Sequence, residues 1–308
     1  MKILIELPTW LGDSVMTTPA IENLANAFND SRITLIGSFI AIKALKNHPK
    51  VTKTYVLDKK YINLVKFAHK LEDFDIFFSF RSSFRSKFLI FLISATNKYQ
   101  FDKKKYNKGH QVEKYNNFVN SSLGINTKAN KLALHIEKDN FAHKKKLLGI
   151  NPGATYGSAK RWYPEEFANV VISLSNEYDI VIFGGPAEKE FAKEIELYLL
   201  KKNINNFVNL AGKTSISELI NKISKLDLFI TGDSGPMHLA AAFQIPTVSI
   251  FGPTNYKETS QWMNQKSKIL TKNLDCQPCM KRVCPLVHHK CMRTIKSLDV
   301  LNAVEALN

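Results

Sequence analysis

Short apolar runs alternate with longer amphipathic stretches through the first half of the chain. The runs at residues 2–7, 33–37, 51–57 and 74–79 predict strands, and the stretches at 16–28, 41–47, 62–71, 86–95 and 109–121 predict helices. Because strands and helices alternate at this spacing, we expect a parallel sheet that is covered by helices on both faces.

The same alternation begins again at residue 147. Strands are predicted at 147–151, 180–183, 207–210, 226–230 and 246–251, and helices at 188–201, 216–224 and 297–307. The closing helix has its apolar positions on one face: Leu298, Leu301, Val304 and Leu307. A polar, lysine-rich stretch at 136–146 separates the two series. We therefore expect an α/β protein of two domains, residues 1–140 and 147–290, followed by a C-terminal segment at 291–308.

One turn of the second half has the chemistry of an anion site. The strand at 226–230 is followed closely by Gly-Asp-Ser-Gly-Pro at 232–236. The glycines permit a sharp turn, and Pro236 suits the first position of a helix. Such a turn directs backbone N–H groups and the positive end of the helix dipole outward. A corner that only packs, with Asp233 or Ser234 as the helix N-cap, explains the same residues.

Four turns of the second half follow predicted strands, at 151–154, 184–188, 212–214 and 231–238. Because the carboxyl ends of parallel strands meet at one sheet edge, we expect these turns to form a cleft. A nucleotide diphosphate suits it, with Glu188 on the ribose hydroxyls and Lys160 on the phosphates. A first-turn acid and a solvated lysine explain the same two residues. Neither a Walker A motif nor Gly-x-Gly-x-x-Gly occurs, so a P-loop and a dinucleotide fingerprint are excluded.

In the first half, polar residues lie in the loops after two predicted strands. Asp13 can be a general base or a helix N-cap. Trp10 can contact a ligand or pack in the core. Arg81 and Arg85 can hold a phosphate or carboxylate in bidentate fashion, or they can be solvated.

Charge narrows the range of partners. The chain has 43 Lys and Arg against 27 Asp and Glu, a formal net charge of +16. This excess favours nucleic acid, an anionic membrane surface or a phosphorylated substrate. The sequence contains no apolar run long enough to span a membrane and no signal peptide, so we expect a cytosolic protein with peripheral membrane contact as an option.

All four cysteines lie in one late segment: Cys276, Cys279, Cys284 and Cys291. The first pair has the spacing of zinc ligands. Free thiols are the interpretation we favour, with a metal site and a disulfide as alternatives, because disulfides are rare in the cytosol.

Taken together, these motifs resemble those of the ADP-heptose:lipopolysaccharide heptosyltransferases, glycosyltransferase family 9. The resemblance covers nearly the whole chain and depends on the segment at 7–19, Asn-Pro-Gly-Ala at 151–154 followed by Lys-Arg-Trp at 160–162, the segment at 232–242, and Phe-Gly-Pro-Thr at 251–254. The form Leu-Pro-Thr-Trp-Leu-Gly-Asp near the start is most similar to type II members, and so is the segment around the cysteines.

The resemblance implies a GT-B architecture, in which two Rossmann-like domains with parallel sheets face each other across a cleft and the last helix packs back on the first domain. It also implies an inverting, metal-independent transfer of L-glycero-D-manno-heptose from ADP-heptose to the first heptose of the lipopolysaccharide or lipooligosaccharide inner core. The acceptor is then lipid A–Kdo–heptose at the inner membrane face, with no cofactor and no nucleic acid. Alternatives are a type I enzyme that acts on Kdo-lipid A, or another GT-B enzyme such as a nucleotide-sugar 2-epimerase.

Roles of single residues follow from the same resemblance. Asp13 matches the catalytic base, and Lys160 matches the lysine that assists at the donor phosphates. The expected donor-binding residues are Asn151, Gly153, Lys160, Glu188, Gly212, Lys213, Thr214, Asp233, Ser234, Gly235 and His238. The expected acceptor-binding residues of the first domain are Trp10, Gly12, Arg81, Arg85 and His110; the last three are assigned by their position in the chain and not by a family motif.

Overall fold

The computed structural model describes residues 1–58, 60–136 and 145–307. Contacts divide these residues into two compact units, one ending at 136 and the other beginning at 145. The polar stretch that separates the two predicted series lies mostly outside the described residues. Each unit has its own sheet.

The first unit is a parallel sheet with strand order β3-β2-β1-β4-β5. Its elements are β1 (Lys2–Glu6), α1 (Leu11–Met16), α2 (Thr18–Ala27), β2 (Arg32–Gly37), α3 (Phe39–Leu45), β3 (Val51–Val56), α4 (Tyr61–Ala68), β4 (Phe74–Ser79), α5 (Phe84–Leu92), β5 (Ala95–Gln100) and α6 (Gln111–Leu123). β1 is the central strand of this sheet, and helices cover both of its faces. Its apolar residues Ile3, Leu4 and Ile5 are therefore fully buried.

Two short helices take the place of the loop that we predicted after the first strand and of the helix that we predicted at 16–28. α1 begins at Leu11, inside the predicted loop. α2 begins at Thr18, and Pro19 lies in its first turn, where a missing N–H removes no helical hydrogen bond. The proline therefore starts a second helix rather than continuing the first.

The second unit is a parallel sheet with strand order β11-β10-β9-β6-β7-β8. Its elements are β6 (Lys146–Asn151), α7 (Pro164–Leu174), β7 (Tyr178–Ile182), α8 (Lys189–Lys201), β8 (Phe207–Asn209), α9 (Ile216–Ile223), β9 (Leu228–Gly232), α10 (Gly235–Ala242), β10 (Thr247–Ile250), α11 (Tyr256–Thr259), β11 (Ser267–Leu270), α12 (Lys290–Arg293) and α13 (Ser297–Glu305). Leu148 and Ile150 of β6 pack with Leu228 and Ile230 of β9 in one core.

Each sheet ends in an edge strand that the apolar pattern did not predict. β5 is polar, and its residues Thr96, Asn97 and Lys98 are exposed. β11 is also at an edge and contains Lys268. An edge strand that buries little of its surface can lack a continuous apolar run, as these two do, whereas the other two edge strands, β3 and β8, were predicted.

The closing helix α13 packs in the second unit, and one of its predicted apolar positions is exposed. It contacts α7, β10 and β11, and its buried residues Val300, Ala303 and Val304 belong to the core of the second unit. Leu298, which we placed on the apolar face, is 64% exposed. The contacts of α13 described here are within the second unit, and its packing on the first domain stays a prediction.

In each sheet, the chain first adds strands on one side of its first strand and later adds strands on the other side. β1 lies between β2 and β4, and β6 lies between β7 and β9. Ligands of such sheets bind beyond the carboxyl ends of the strands, where the loops diverge. In the part of the chain that the structure describes, every helix is too short or too polar to cross a membrane.

Candidate functional site

The central strands of the second sheet bring three polar side chains together. Asn151 at the end of β6 is paired in register with Thr231 of the neighbouring β9. Asn151 Nδ2 donates a hydrogen bond to Ser234 Oγ at 3.2 Å, and Ser234 Oγ is 3.1 Å from Thr231 Oγ1. Two turns that are about 80 residues apart in sequence thus form one polar cluster at the sheet edge.

Lys160 lies at the same edge and is held by Asp233. Its Nζ is 2.5 Å from Asp233 Oδ2 and donates to the Asp233 carbonyl oxygen at 3.3 Å. Thr254 Oγ1 donates to the same Oδ2 at 2.5 Å, and the ring of Tyr156 lies 4.7 Å from the ammonium. Both charged side chains are nearly buried. An ammonium has three N–H donors, so these two oxygens leave one for another ligand.

Glu188 is buried against the loops after β6 and β7. The Gly185 N–H donates to Glu188 Oε2, and Thr155 Oγ1 donates to Oε1 at 3.3 Å. A side chain at Gly153 would place its Cβ 2.6 Å from the carboxyl carbon of Glu188. Glu188 is therefore buried in the strand-end cluster, and its bond from the Gly185 N–H is also the capping contact of a first-turn acid, the alternative interpretation, at the short helical turn Pro186–Glu188.

The remaining predicted donor residues divide into two groups. Gly212 has a φ of +67°, and its N–H donates to Gly184 O at 2.8 Å, so its turn joins the edge at β7. Lys213, in contrast, is exposed, and its Nζ donates back to the Asn209 carbonyl at 3.0 Å.

Three further predicted donor residues follow these turns along the chain. Thr214 is partly buried, Gly235 is the first residue of α10, and His238 is buried in that helix's first turn. The carboxyl ends of the central strands thus bring together Asn151, Lys160, Asp233 and Ser234, whereas Lys213 does not join this cluster.

Asp13 is not the N-cap of the first helix. Trp10 is the N-cap residue of α1, its side chain accepts no hydrogen bond from the described backbone, and Asp13 lies in the first helical turn. The pKa of Tyr115 is raised well above its usual value by burial and then by the nearby Asp13 charge. Trp10 is 55% exposed, so the alternative of core packing is wrong for it, while Gly12 is buried beside it.

A carboxylate that the sequence analysis did not select lies at the end of β1. Glu6 is fully buried, and it accepts hydrogen bonds from Ser79 Oγ at 2.6 Å and from Ser86 Oγ at 3.0 Å. Arg81 Nη1 is 3.5 Å from Glu6 Oε1, the oxygen that also accepts the hydrogen bond from Ser86. Burial raises the pKa of Glu6. An acid within an otherwise apolar strand was the signal that could have revealed it.

Arg85 lies close to the positive charge of Arg81. Burial and the Arg81 charge lower the pKa of Arg85, and its Nη2 donates to the Asp58 carbonyl. The two arginines and Glu6 therefore form a charged group at the carboxyl end of the first sheet. Neither arginine is the freely solvated side chain of the alternative interpretation.

His110 has a structural role that the sequence analysis did not assign. The His110 ring nitrogen Nδ1 accepts a hydrogen bond from the backbone N–H of Val112 at 3.2 Å. The backbone N–H of His110 donates to Glu113 Oε2 at 2.9 Å. This reciprocal arrangement is a capping box at the start of α6.

A separate cluster has the ligand spacing of a metal site. Among the described residues, Glu22, His48 and His135 are the only group of three whose ligand atoms lie within 4.8 Å of one another. His48 Nδ1, however, accepts a hydrogen bond from the Lys50 N–H at 3.1 Å. A neutral His48 then carries its proton on Nε2, the atom that faces Glu22 at 3.2 Å. A metal-bound histidine needs the opposite arrangement, so we interpret this cluster as a carboxylate held between two imidazole rings.

All four cysteines lie in the described part of the chain, and no disulfide joins them there. Cys291 is buried, and its pKa is raised to about 11 by burial and then by Cys276, Cys284 and Cys279. The four thiols are therefore neighbours, although no three of the described sulfur atoms meet the metal-ligand spacing given above.

The fold and the strand-end clusters first indicate a broad class of protein. Two parallel α/β sheets, with a lysine–carboxylate pair and hydroxyl groups beyond the strands of one, are suited to an enzyme that binds a nucleotide or another phosphorylated ligand. The chain belongs to glycosyltransferase family 9, the heptosyltransferase family, whose sequence profile matches residues 65–290.

Individual relatives agree with this assignment. The chain is 42% identical to lipooligosaccharide heptosyltransferase 2 of Campylobacter jejuni serotype O:2, over 100% of this chain and 98% of that protein. The structure resembles Escherichia coli ADP-heptose lipopolysaccharide heptosyltransferase II with a TM-score of 0.82 at 21% identity, covering 100% and 98% of the two chains. It resembles a family 9 glycosyltransferase of Veillonella parvula with a TM-score of 0.86 at 23% identity, covering 99% and 96%. The predicted family, fold class and enzyme class are thus confirmed.

Proposed function

We propose that the protein transfers L-glycero-D-manno-heptose from ADP-heptose to the first heptose of the lipopolysaccharide or lipooligosaccharide inner core. The observation that carries this proposal is the 42% identity over the full chain to a lipooligosaccharide heptosyltransferase 2. The transfer inverts the anomeric centre and needs no essential metal. The enzyme works in the cytoplasm, where its lipid-linked acceptor requires contact with the inner membrane face.

On the donor side, the Lys160 cluster stabilises the leaving group. When the bond between the anomeric carbon and the diphosphate breaks, negative charge gathers on the departing ADP. Asp233, whose carboxylate accepts a hydrogen bond from Thr254, fixes the position of the ammonium, and the ammonium binds a phosphate oxygen of the departing ADP. The first turn of α10 adds the partial positive charge of its N–H groups. Glu188, beside Gly153, holds ribose hydroxyls.

On the acceptor side, Asp13 takes the proton from the acceptor hydroxyl as its oxygen attacks the anomeric carbon. Asp13 is suited to this role because the helix in which it lies does not use it as a cap. The Glu6 carboxylate orients Arg81, and Arg81 and Arg85 bind the acidic groups of the lipid-linked inner core.

The test is ADP release from ADP-heptose, measured in EDTA with lipid A–Kdo acceptors that carry or lack the first heptose. We expect turnover only with the heptose-bearing acceptor. Equal or faster turnover with the acceptor that ends in Kdo would assign the type I reaction instead. ADP release that is independent of any acceptor would favour a 2-epimerase-like enzyme, and a strict need for a divalent cation would contradict the metal-free mechanism.

A further inference from the structure

Helix α5 presents a row of aromatic side chains to solvent. Its inward side is formed by Ser86 and Leu89, which are buried. The opposite side carries Phe84 and Phe91, which are 78% and 82% exposed, with Lys87 between them. Residues three, four and seven apart lie on one face of a helix, so these three form a continuous stripe.

Helix α4 extends the stripe into a surface. The Tyr61 ring of α4 packs edge-on against the Phe88 ring of α5, with centroids 5.6 Å apart. Next to Tyr61, Ile62 is 61% exposed, and Lys66 is exposed one helical turn further on. We define the α4–α5 face as Ile62, Lys66, Phe84, Lys87 and Phe91.

The charge of this face has one sign. Neither helix contains an aspartate or a glutamate, and both contain exposed lysines. At the far end of α5, exposed Lys98 donates from its Nζ to the Ile90 carbonyl at 3.2 Å. Large exposed aromatic side chains that are contiguous mark an interaction site on a protein surface.

We propose that the α4–α5 face binds the surface of an anionic phospholipid bilayer. Lysine is depleted at protein–protein interfaces, whereas aromatic rings inserted between lipid headgroups, with lysines reaching the phosphates, are typical of membrane interfaces. The proposal rests on the proposed function, because a lipid-linked acceptor lies in such a bilayer. The chain supports this link: Phe84 follows the acceptor-side Arg81 by three residues.

Sedimentation with vesicles tests the proposal. Wild-type protein is mixed with vesicles of phosphatidylethanolamine and phosphatidylglycerol, and with vesicles of phosphatidylcholine alone. We expect binding to the anionic vesicles to exceed binding to the neutral ones. The double variant Phe84→Ser/Phe91→Ser should bind about tenfold more weakly or worse, since two aromatic side chains lose their apolar insertion. Lys66→Gln and Lys87→Gln should each weaken binding about fivefold.

A matched control removes two exposed apolar residues elsewhere. Leu197→Ser/Leu200→Ser changes α8 of the second unit, a helix that also carries Glu190, Glu194 and Glu196. This variant should bind vesicles like the wild type. Circular dichroism and thermal melting of every variant confirm that the fold is retained.

Activity separates this proposal from the proposed function. The face variants should keep wild-type turnover with a soluble, deacylated heptose acceptor and lose turnover with the same acceptor embedded in vesicles. Wild-type protein without heptosyl transfer to either acceptor would contradict the proposed function, while vesicle binding would still stand. Vesicle binding that is unchanged in the face variants, or a wild-type dimer that these substitutions dissociate in place of vesicle binding, would overturn the membrane proposal.

Discussion

At the scale of single residues, the central feature is the close pairing of Lys160 with Asp233. Two nearly buried charges at 2.5 Å stabilise a protein only when their remaining polar positions are also satisfied. Thr254 satisfies one of these positions on the carboxylate, and the Asp233 carbonyl takes a second N–H of the ammonium. The pair therefore holds a positively charged donor in a fixed place, which is what a diphosphate site requires.

Replacement of Lys160 tests this role. Calorimetry in EDTA should show that Lys160→Ala weakens ADP binding by about 10–100-fold, the usual loss of a hydrogen bond to a charged group. Adenosine binding should change much less, because adenosine lacks the phosphates. Lys201→Ala, which removes an exposed lysine at the end of α8, is the control. Equal losses for ADP and adenosine would show that Lys160 does not act on the phosphates.

Replacement of Asp13 tests the general base. Because Asp13 is not the N-cap of α1, Asp13→Asn should leave the melting temperature and ADP binding near those of the wild type. Its transfer rate should fall by about 10²–10⁴-fold, since an amide cannot take the acceptor proton. Turnover within a few-fold of the wild type would remove Asp13 from the mechanism.

Some site residues could be predicted from the sequence around them. A contact between residues that are far apart in the chain could not. Asn151, Asp233 and Ser234 were selected because each lies at the end of an apolar strand or within two residues after it. The contact of Thr254 with Asp233 depends on how β10 pairs with β9, which no local pattern reveals.

At the scale of secondary-structure elements, the buried strands were predicted from their apolar runs, whereas two of the four edge strands in the described sheets, β5 and β11, were not. The sheet centre fills both faces with apolar side chains, so β1 and β9 are visible in the sequence. The polar edge strand β5 pairs only with β4 and gives no such signal. Segments without periodicity can also carry tertiary contacts, as His135 shows by reaching Glu22 of α2 at 3.1 Å.

That contact gives a pH-dependent prediction. The pKa of Glu22 is lowered from 4.5, chiefly by its contact with His48 and further by His135. A lowered folded-state pKa stabilises the protein above the unfolded value, and the contribution is lost as pH falls through the folded value. Glu22→Gln should therefore cost about 1 kcal/mol at pH 7, and this difference should vanish as the pH falls below about 4.5.

Urea unfolding between neutral pH and about pH 3 measures this difference. Glu305→Gln, at an exposed position of α13, is the control and should differ little from the wild type at any pH. A Glu22→Gln deficit that persists at the acid end of the series would mean that the lost stability does not come from ionised Glu22.

The cysteine segment before and within α12 supports a prediction about thiol reactivity. A pKa of about 11 leaves almost no Cys291 thiolate near neutral pH, and the thiol is also buried. With iodoacetamide, Cys291 should react more slowly than Cys276, Cys279 and Cys284, as peptide mass spectrometry can follow. Elemental analysis should find no stoichiometric zinc or iron. Protection of all four thiols that a chelator removes would establish a metal site instead.

At the scale of the whole molecule, the protein has two main features. It has two separate sheets, each with its own strand-end site, and it carries a strong excess of positive charge. Repetition of the strand–helix pattern was enough to predict two α/β domains. The packing of α13 was not predictable, because an amphipathic helix indicates that it is buried but not against which surface. Net charge likewise identifies no site, but it does affect how fast an anionic substrate arrives.

The last prediction concerns this effect of charge on the rate. With a net charge of +16, encounter with an acceptor that bears carboxylates and phosphates should be accelerated at low ionic strength. At saturating ADP-heptose, kcat/KM for the lipid-linked acceptor should fall about tenfold between roughly 0.05 and 0.5 M NaCl, because the screening length shortens. The kcat should change little, since the bound acceptor no longer depends on long-range attraction. Melting temperatures at both salt concentrations control for stability, and a kcat/KM that is independent of salt would show that the positive charge does not guide the acceptor.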